Sequence, residues 1–240
     1  MRGRAGCTRG GARYMFYNLC LFDLDGTLTD PKPGITRAFQ YALSAFGIQE
    51  ELDGLAKFIG PPLRETIREH YGFSSEETEK AVAVYREYFS QTGLYENAVY
   101  PEIPNLLQRV KDGGAALAVA TSKVTLYTNQ ILDHFGLGKF FDFVSGDEMD
   151  GSLTLNGKRN VILNAINALD PERALTPVMI GDRMHDIRGA RDAGIDSVGV
   201  LWGYGSRAEL EEAGATRIAE TPEALLEILL RRVKDAAPYN

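Results

Sequence analysis

The sequence is poor in sulfur and in histidine. Only Cys7 and Cys20 occur in 240 residues, and Cys20 falls inside the apolar run Tyr17–Phe22, which reads as a buried strand. A disulfide scaffold is thereby excluded, and a reducing compartment, the cytoplasm, is the expected location. The three histidines, His70, His134 and His185, are scattered. No His/Cys cluster with zinc-ligand spacing exists, and only His185, flanked by acids, is expected near other polar residues of interest. Apolar runs are short as well, far below the ~20 residues a membrane helix needs, so no membrane partner is expected. Basic charge is not in excess. The net charge is −7, and residues 1–14 hold four arginines and no acid, which leaves 22 bases against 33 acids, net −11, over residues 15–240. Such a body repels nucleic-acid phosphates, and no nucleic-acid partner is expected.

What is present is an ordinary globular composition, 44% hydrophobic and 25% charged, in a chain long enough for one core fold with an inserted module. Residues 1–14, MRGRAGCTRGGARY, read as an unstructured basic extension, and residues 236–240 as a frayed tail. Between them, apolar runs alternate with amphipathic stretches. Strands are expected at Tyr17–Phe22, Ala115–Ala120, Phe140–Val144, Val178–Ile180, Ser197–Leu201 and Arg217–Ala219. Ile103, Leu106, Leu107 and Val110 share one helical face, and Leu225, Ile228, Leu229 and Val233 another. Thr221-Pro222 starts the last helix. Residues 31–96 break the rhythm with helical stretches only, including a capping box at Ser74 and Glu77. The fold class implied is α/β: a doubly wound, Rossmann-like, mostly parallel sheet core over 15–30 and 97–235, with a small all-α cap domain inserted at 31–96.

Four polar clusters fall at strand ends. Asp23 and Asp25, two apart on extended chain, point to one side, and Gly26 lets the chain turn away at once. Two carboxylates so placed require a cation or a shared proton, unless they are merely an acidic turn. Gly181-Asp182-Arg183-Met184-His185-Asp186 follows Val178–Ile180 and supplies two more acids four residues apart. In open parallel sheets the ligand crevice lies beyond the carboxyl ends of the strands, where both clusters stand. An all-oxygen set of this kind suits Mg²⁺. Thr121-Ser122-Lys123 closes its strand and opens the next helix, a cradle for an anion or a plain N-cap. Lys158, after the turn-like Asn156-Gly157, is a surface lysine unless its surroundings say otherwise.

Together these clusters resemble the four motifs of the haloacid dehalogenase-like (HAD) superfamily of phosphohydrolases, in the family's order, from Met15 to Val233. Asp23-Leu24-Asp25-Gly26-Thr27-Leu28-Thr29 is similar to the first motif, Thr121 to the second, Lys158 to the third, with Arg159 as the neighbouring alternative, and Gly181-Asp182-Arg183 with Asp186 to the fourth. The runs FIGPPL at Phe58–Leu63, AVATSK at Ala118–Lys123 and GVLWGYGS at Gly199–Ser206 look like the 5′-nucleotidase and phosphoglycolate phosphatase branch, whose helical cap occupies the place of residues 31–96.

The resemblance implies hydrolysis of a small-molecule phosphate ester. Asp23 would be the nucleophile forming an aspartyl-phosphate, and Asp25 the general acid and base. Asp182 would hold Mg²⁺ with Asp23 and the backbone carbonyl of Asp25, and Asp186 would support it through water. Thr121, Ser122 and Lys158 would bind the phosphoryl group, and Arg64, after the stiff Gly60-Pro61-Pro62 turn, would reach a substrate anion. A 5′-nucleotide is the first substrate expected. Phosphoglycolate hydrolysis, or sugar phosphate isomerisation with the same residues, is the alternative. Outside enzymes the rival is a receiver-like phospho-aspartate signalling domain, against which the inserted helical segment argues.

Overall fold

The computed structural model describes residues 13–155 and 157–232. Strands β1 (Arg13–Met15), β2 (Leu19–Phe22) and β3 (Thr29–Asp30) precede four helices, α1 (Lys32–Ser44), α2 (Leu52–Leu55), α3 (Leu63–Tyr71) and α4 (Ser75–Tyr88), which β4 (Ala98–Val99) follows. The chain then alternates through α5 (Ile103–Asp112), β5 (Ala116–Val124), α6 (Thr125–His134), β6 (Phe143–Asp147), α7 (Arg159–Leu169) and β7 (Pro177–Gly181). It ends with α8 (Met184–Ala193), β8 (Asp196–Val200), α9 (Arg207–Ala213), β9 (Arg217–Ala219), α10 (Pro222–Leu229) and β10 (Leu230–Arg232).

Six of these strands form a parallel sheet in the order β6, β5, β2, β7, β8, β9. From β2 the chain builds outward to β5 and β6 on one side, then returns to lay β7, β8 and β9 on the other. The winding therefore reverses beside β2, and the crevice opens at its carboxyl end. Alternation along β2 divides the core in two. Cys20 and Phe22 pack with Leu107, Val110, Ile131 and Leu225 on one face, and Leu19 and Leu21 with Ile162, Ala165, Ile166 and Ala190 on the other. Each of the leucine, isoleucine, valine and phenylalanine side chains among them contributes roughly 1.5–3 kcal/mol by leaving water. The expected α/β sheet with helices on both faces is what forms.

Residues 31–96 contain helices and no strand. Ser74 and Glu77 form the reciprocal capping box of α4. Phe39 packs on Phe58 and Tyr85, with ring centroids 5.3 and 5.2 Å apart, and Tyr85 stacks on Phe89 at 5.4 Å. The two-stranded pair β3 and β4 carries the chain into and out of this segment. The crossing is so tight that a Cβ on Gly34 would lie 1.9 Å from the Gly93 carbonyl oxygen.

Three expectations shift. Phe140 ends a 3₁₀ turn over Gly138–Phe140 and the strand begins at Phe143; Phe140 is still buried, so its apolar character reported burial rather than a strand. Strand β5 does not stop at Ala120. It runs to Val124, pairing again with Asp147 after a bulge, and α6 starts at Thr125. Thr121 and Ser122 therefore sit on extended chain and not at a helix N-terminus, as the sequence had suggested. The pair β1 and β10, Arg13–Met15 against Leu230–Arg232, was not anticipated. Of the expected unstructured extension over 1–14, residues 13 and 14 lie instead in β1, and residues 1–12, like the tail over 236–240, lie outside the described residues. Among the described residues no helix is long and apolar enough to cross a membrane.

Candidate active site

The Asp23 amide donates to Ile180 O at 2.9 Å, which fixes the nucleophile candidate where β2 leaves the sheet beside β7. The Leu24 carbonyl then collects the amides of Leu28 and Thr29 at 2.9 and 3.0 Å, closing a tight turn. Gly26 makes that turn possible with φ of +80°, and a Cβ there would lie 2.3 Å from Asp182 Oδ2. Strand β7 ends at Gly181, so Asp182 emerges beside Asp23. Asp186 follows in the first turn of α8, where its Oδ2 accepts the Arg183 amide at 3.0 Å.

Carboxylate oxygens of Asp23, Asp182 and Asp186 lie within 4.8 Å of one another, and all three residues are buried. Lys158, only 2% exposed, is the cation among them: its Nζ stands 2.8 Å from Asp23 Oδ1 and 2.5 Å from Asp186 Oδ1. Gly189 on α8 opens the space, since a Cβ there would meet Lys158 Cβ at 2.7 Å. Arg159 turns outward to the Asp192 carbonyl. Asp25 does not point into the trio. Its Oδ2 pairs with Lys123 Nζ at 2.9 Å, and that ammonium also lies 4.4 Å from the Phe89 ring centre.

Burial dominates the electrostatics. It raises Asp182 well above the carboxylate range, with Asp186 and Asp23 adding repulsion. Burial likewise brings Asp186 up to about 6 against the pull of Lys158. For Asp25, burial outweighs the opposing pull of Lys123, so its carboxyl is raised. Burial works against the charge on Lys158, but Asp186 and Asp23 more than restore it and its pKa is raised. His185 is held neutral, its pKa lowered to about 4 by burial and by Lys158.

One ammonium among three buried carboxylates leaves uncompensated negative charge, and the donors are all oxygen. A hard divalent cation fits that deficit. Asp23 Oδ1 has the Lys158 ammonium beside it at 2.8 Å, whereas Asp25 Oδ1 is buried with no hydrogen-bond partner. Both oxygens of Asp186 are engaged, by Lys158 and by the Arg183 amide, so it braces the set.

Several supporting residues were not foreseen. The Tyr204 amide donates to Asp182 Oδ2 at 2.8 Å, Thr27 Oγ1 donates to Asp182 Oδ1 at 3.3 Å, and Trp202 Nε1 donates to Thr27 O at 3.0 Å. Gly203 lets this segment close on the acid, as its Cβ would lie 2.4 Å from Asp182 Cβ. The glycine-rich run 199–206 was noted in the sequence, but its wrapping around Asp182 needed coordinates. Arg183 reaches the other way: its guanidinium donates to Glu209 at 2.9 Å and to Ile59 O at 2.6 Å, tying this rim to the helical segment.

A cavity opens between the rim and the helices. Asp23, Asp25, Thr121, Ser122 and Lys123 form its floor, and Phe39, Phe58, Tyr85, Phe89 and Tyr127 give it an aromatic wall. Ser122 Oγ is buried there without a hydrogen-bond partner. Thr121 Oγ1 accepts the Lys123 amide at 3.2 Å. Arg64 also lines the cavity, held by Glu79 through Nε and Nη2 at 2.6 and 3.0 Å.

This arrangement coincides with a known protein family. Residues 20–200 match the model of the haloacid dehalogenase-like hydrolases. The chain belongs to that family and, within it, to the phosphatases. A 5′-nucleotidase of Pseudomonas aeruginosa is 43% identical over 216 residues, 89% of this chain and 96% of that protein. The tyrosine-protein kinase PtkA of Mycobacterium tuberculosis is 39% identical over 88% of this chain and 72% of its own length. Phosphoglycolate phosphatase 1 of P. aeruginosa is 28% identical over 87% and 78%. Among solved structures, a predicted phosphatase from Clostridium acetobutylicum superposes with a TM-score of 0.83 at 44% identity, covering 88% of this chain and 97% of that one.

Proposed function

We propose that the protein hydrolyses a small-molecule phosphate monoester through an aspartyl-phosphate on Asp23, with Mg²⁺ as cofactor and a 5′-nucleotide as the first substrate class. The observation that carries this reading is the state of Asp23. It is a buried carboxylate lining the cavity, ion-paired to Lys158 at 2.8 Å and with carboxylate oxygens of two further acids within 4.8 Å.

Asp23 attacks phosphorus, and the ester oxygen leaves with a proton from Asp25, whose pKa burial raises against the pull of Lys123. Asp25 then takes a proton from the water that cleaves the acyl phosphate. Lys158, Thr121 and the unpartnered Ser122 hydroxyl neutralise or hydrogen-bond the phosphoryl oxygens as charge spreads over them. Asp23 and Asp182 would hold Mg²⁺, braced by Asp186, and when bound it supplies charge compensation for the transferring phosphoryl group. The helices over 31–96 act as a cap that excludes bulk water from the cavity.

The 43% identical relative named a 5′-nucleotidase supports a nucleotide, and the aromatic wall suits a flat base. Phosphoglycolate is the second reading, from a more distant relative. The test is phosphate release over a panel of esters, in Mg²⁺ and in EDTA. Turnover that depends on Mg²⁺ and ranks 5′-nucleotides first supports the proposal; turnover indifferent to EDTA contradicts the cofactor assignment.

A further inference from the structure

The cavity holds more positive charge than the phosphoryl chemistry uses. Arg86, on α4, lines it together with Arg64. Arg64 has a carboxylate partner, but Arg86 has none within ion-pair distance among the described residues, where the one hydrogen bond of its guanidinium runs from Nη2 to the Met149 carbonyl at 2.8 Å. Arg64 Nη2 donates to that same carbonyl at 3.1 Å, so two guanidiniums converge on one neutral oxygen. The nearest acids are committed elsewhere. Glu79 is held by Arg64, and Asp147 accepts the amides of Glu148, Leu153 and Thr154 and the Thr154 hydroxyl.

A partly buried guanidinium with most of its N–H donors unused is costly unless something anionic pairs with it. Burial and the charge of Arg64 lower its pKa, in keeping with a cation short of partners. The same cavity is lined by Arg86 and by Asp23, so a single ligand can meet both.

We infer that Arg86, supported by Arg64, forms a second anion subsite that selects phosphate monoesters carrying a further carboxylate or phosphate on the leaving group. This rests on the reading of the cavity as the substrate site and narrows its substrate class. The planar fork of arginine suits either anion bidentately.

Matched substrate pairs test it: 2-phosphoglycolate against ethyl phosphate for a carboxylate, and adenosine 3′,5′-bisphosphate against AMP for a second phosphate. The wild type should favour the doubly anionic member of one pair by about tenfold or more in kcat/KM, the scale of one charge-assisted contact. R86Q should erase that preference and R86K should restore part of it. No preference in either pair, or an R86Q loss equal for both members, would overturn the inference. Turnover of the singly anionic esters without a preference would leave the general phosphatase reading standing and sink only the subsite, whereas no release from any ester would sink both.

Discussion

Replacing Lys158 by methionine keeps an unbranched side chain one atom shorter and removes the ammonium that, among the described residues, stands among three buried carboxylates. The lysine is 2% exposed and sits 2.8 Å from Asp23 and 2.5 Å from Asp186. Deleting one partner of a buried ion pair costs about 3–5 kcal/mol, because the acids left behind are neither hydrated nor paired. Against a total stability on the order of 5–15 kcal/mol, that is a large fraction. The loss should depend on pH with a definite sign. Burial already brings Asp186 up to about 6 and raises Asp182, so folding takes up protons there; that contribution is present at low pH and is lost as pH rises through the folded-state values. Without Lys158 these carboxyls titrate higher still, so the deficit of K158M should be larger at pH 8.5 than at pH 6. Urea unfolding of both proteins in EDTA measures this directly. Equal midpoints, or a deficit larger at pH 6, would refute the reasoning.

Two further perturbations follow from the same geometry. G26A forces a side chain into φ of +80° and within 2.3 Å of Asp182 Oδ2; with backbone strain of about 1–3 kcal/mol and a displaced carboxylate, phosphate release should fall at least about a hundredfold while far-UV circular dichroism stays native. Near wild-type turnover would contradict the packing described. R183A removes the donor to the carbonyls of Ile59 and Lys57, so trypsin should cut after Lys57 about tenfold faster, the scale of one charge-assisted hydrogen bond; unchanged cleavage would show that Arg183 does not anchor this segment.

The sheet was legible because its strands are apolar runs that end abruptly in Asp, Thr or Gly at the rim. Asp23, Asp182 and Asp186 were legible as strand-end acids, and they do converge. What the sequence hid falls into two kinds. Thr121-Ser122-Lys123-Val124 reads equally as a helix start or a strand end, and only pairing of Val124 with Asp147 decides for the strand. The partnerships of Lys123 with Asp25, Arg183 with Ile59 O and Tyr204 with Asp182 join segments about 22 to 124 residues apart, and no local pattern encodes them. Lys158 is the sharpest example: by residue type it belongs on the surface, yet it is buried because α7 packs against Gly189 of α8 and delivers it between two acids. Arg64 stood out beside its proline turn, while Arg86 looked like any helical arginine until the absence of an acid partner became visible.

Covalent chemistry at one side chain is the step on which the proposed hydrolysis depends. Turnover quenched with borohydride in the presence of Mg²⁺ and the best ester should convert the residue carrying the acyl phosphate to homoserine, and peptide mass spectrometry should find it at position 23. Homoserine at another aspartate, or none under conditions of rapid phosphate release, would contradict the central claim.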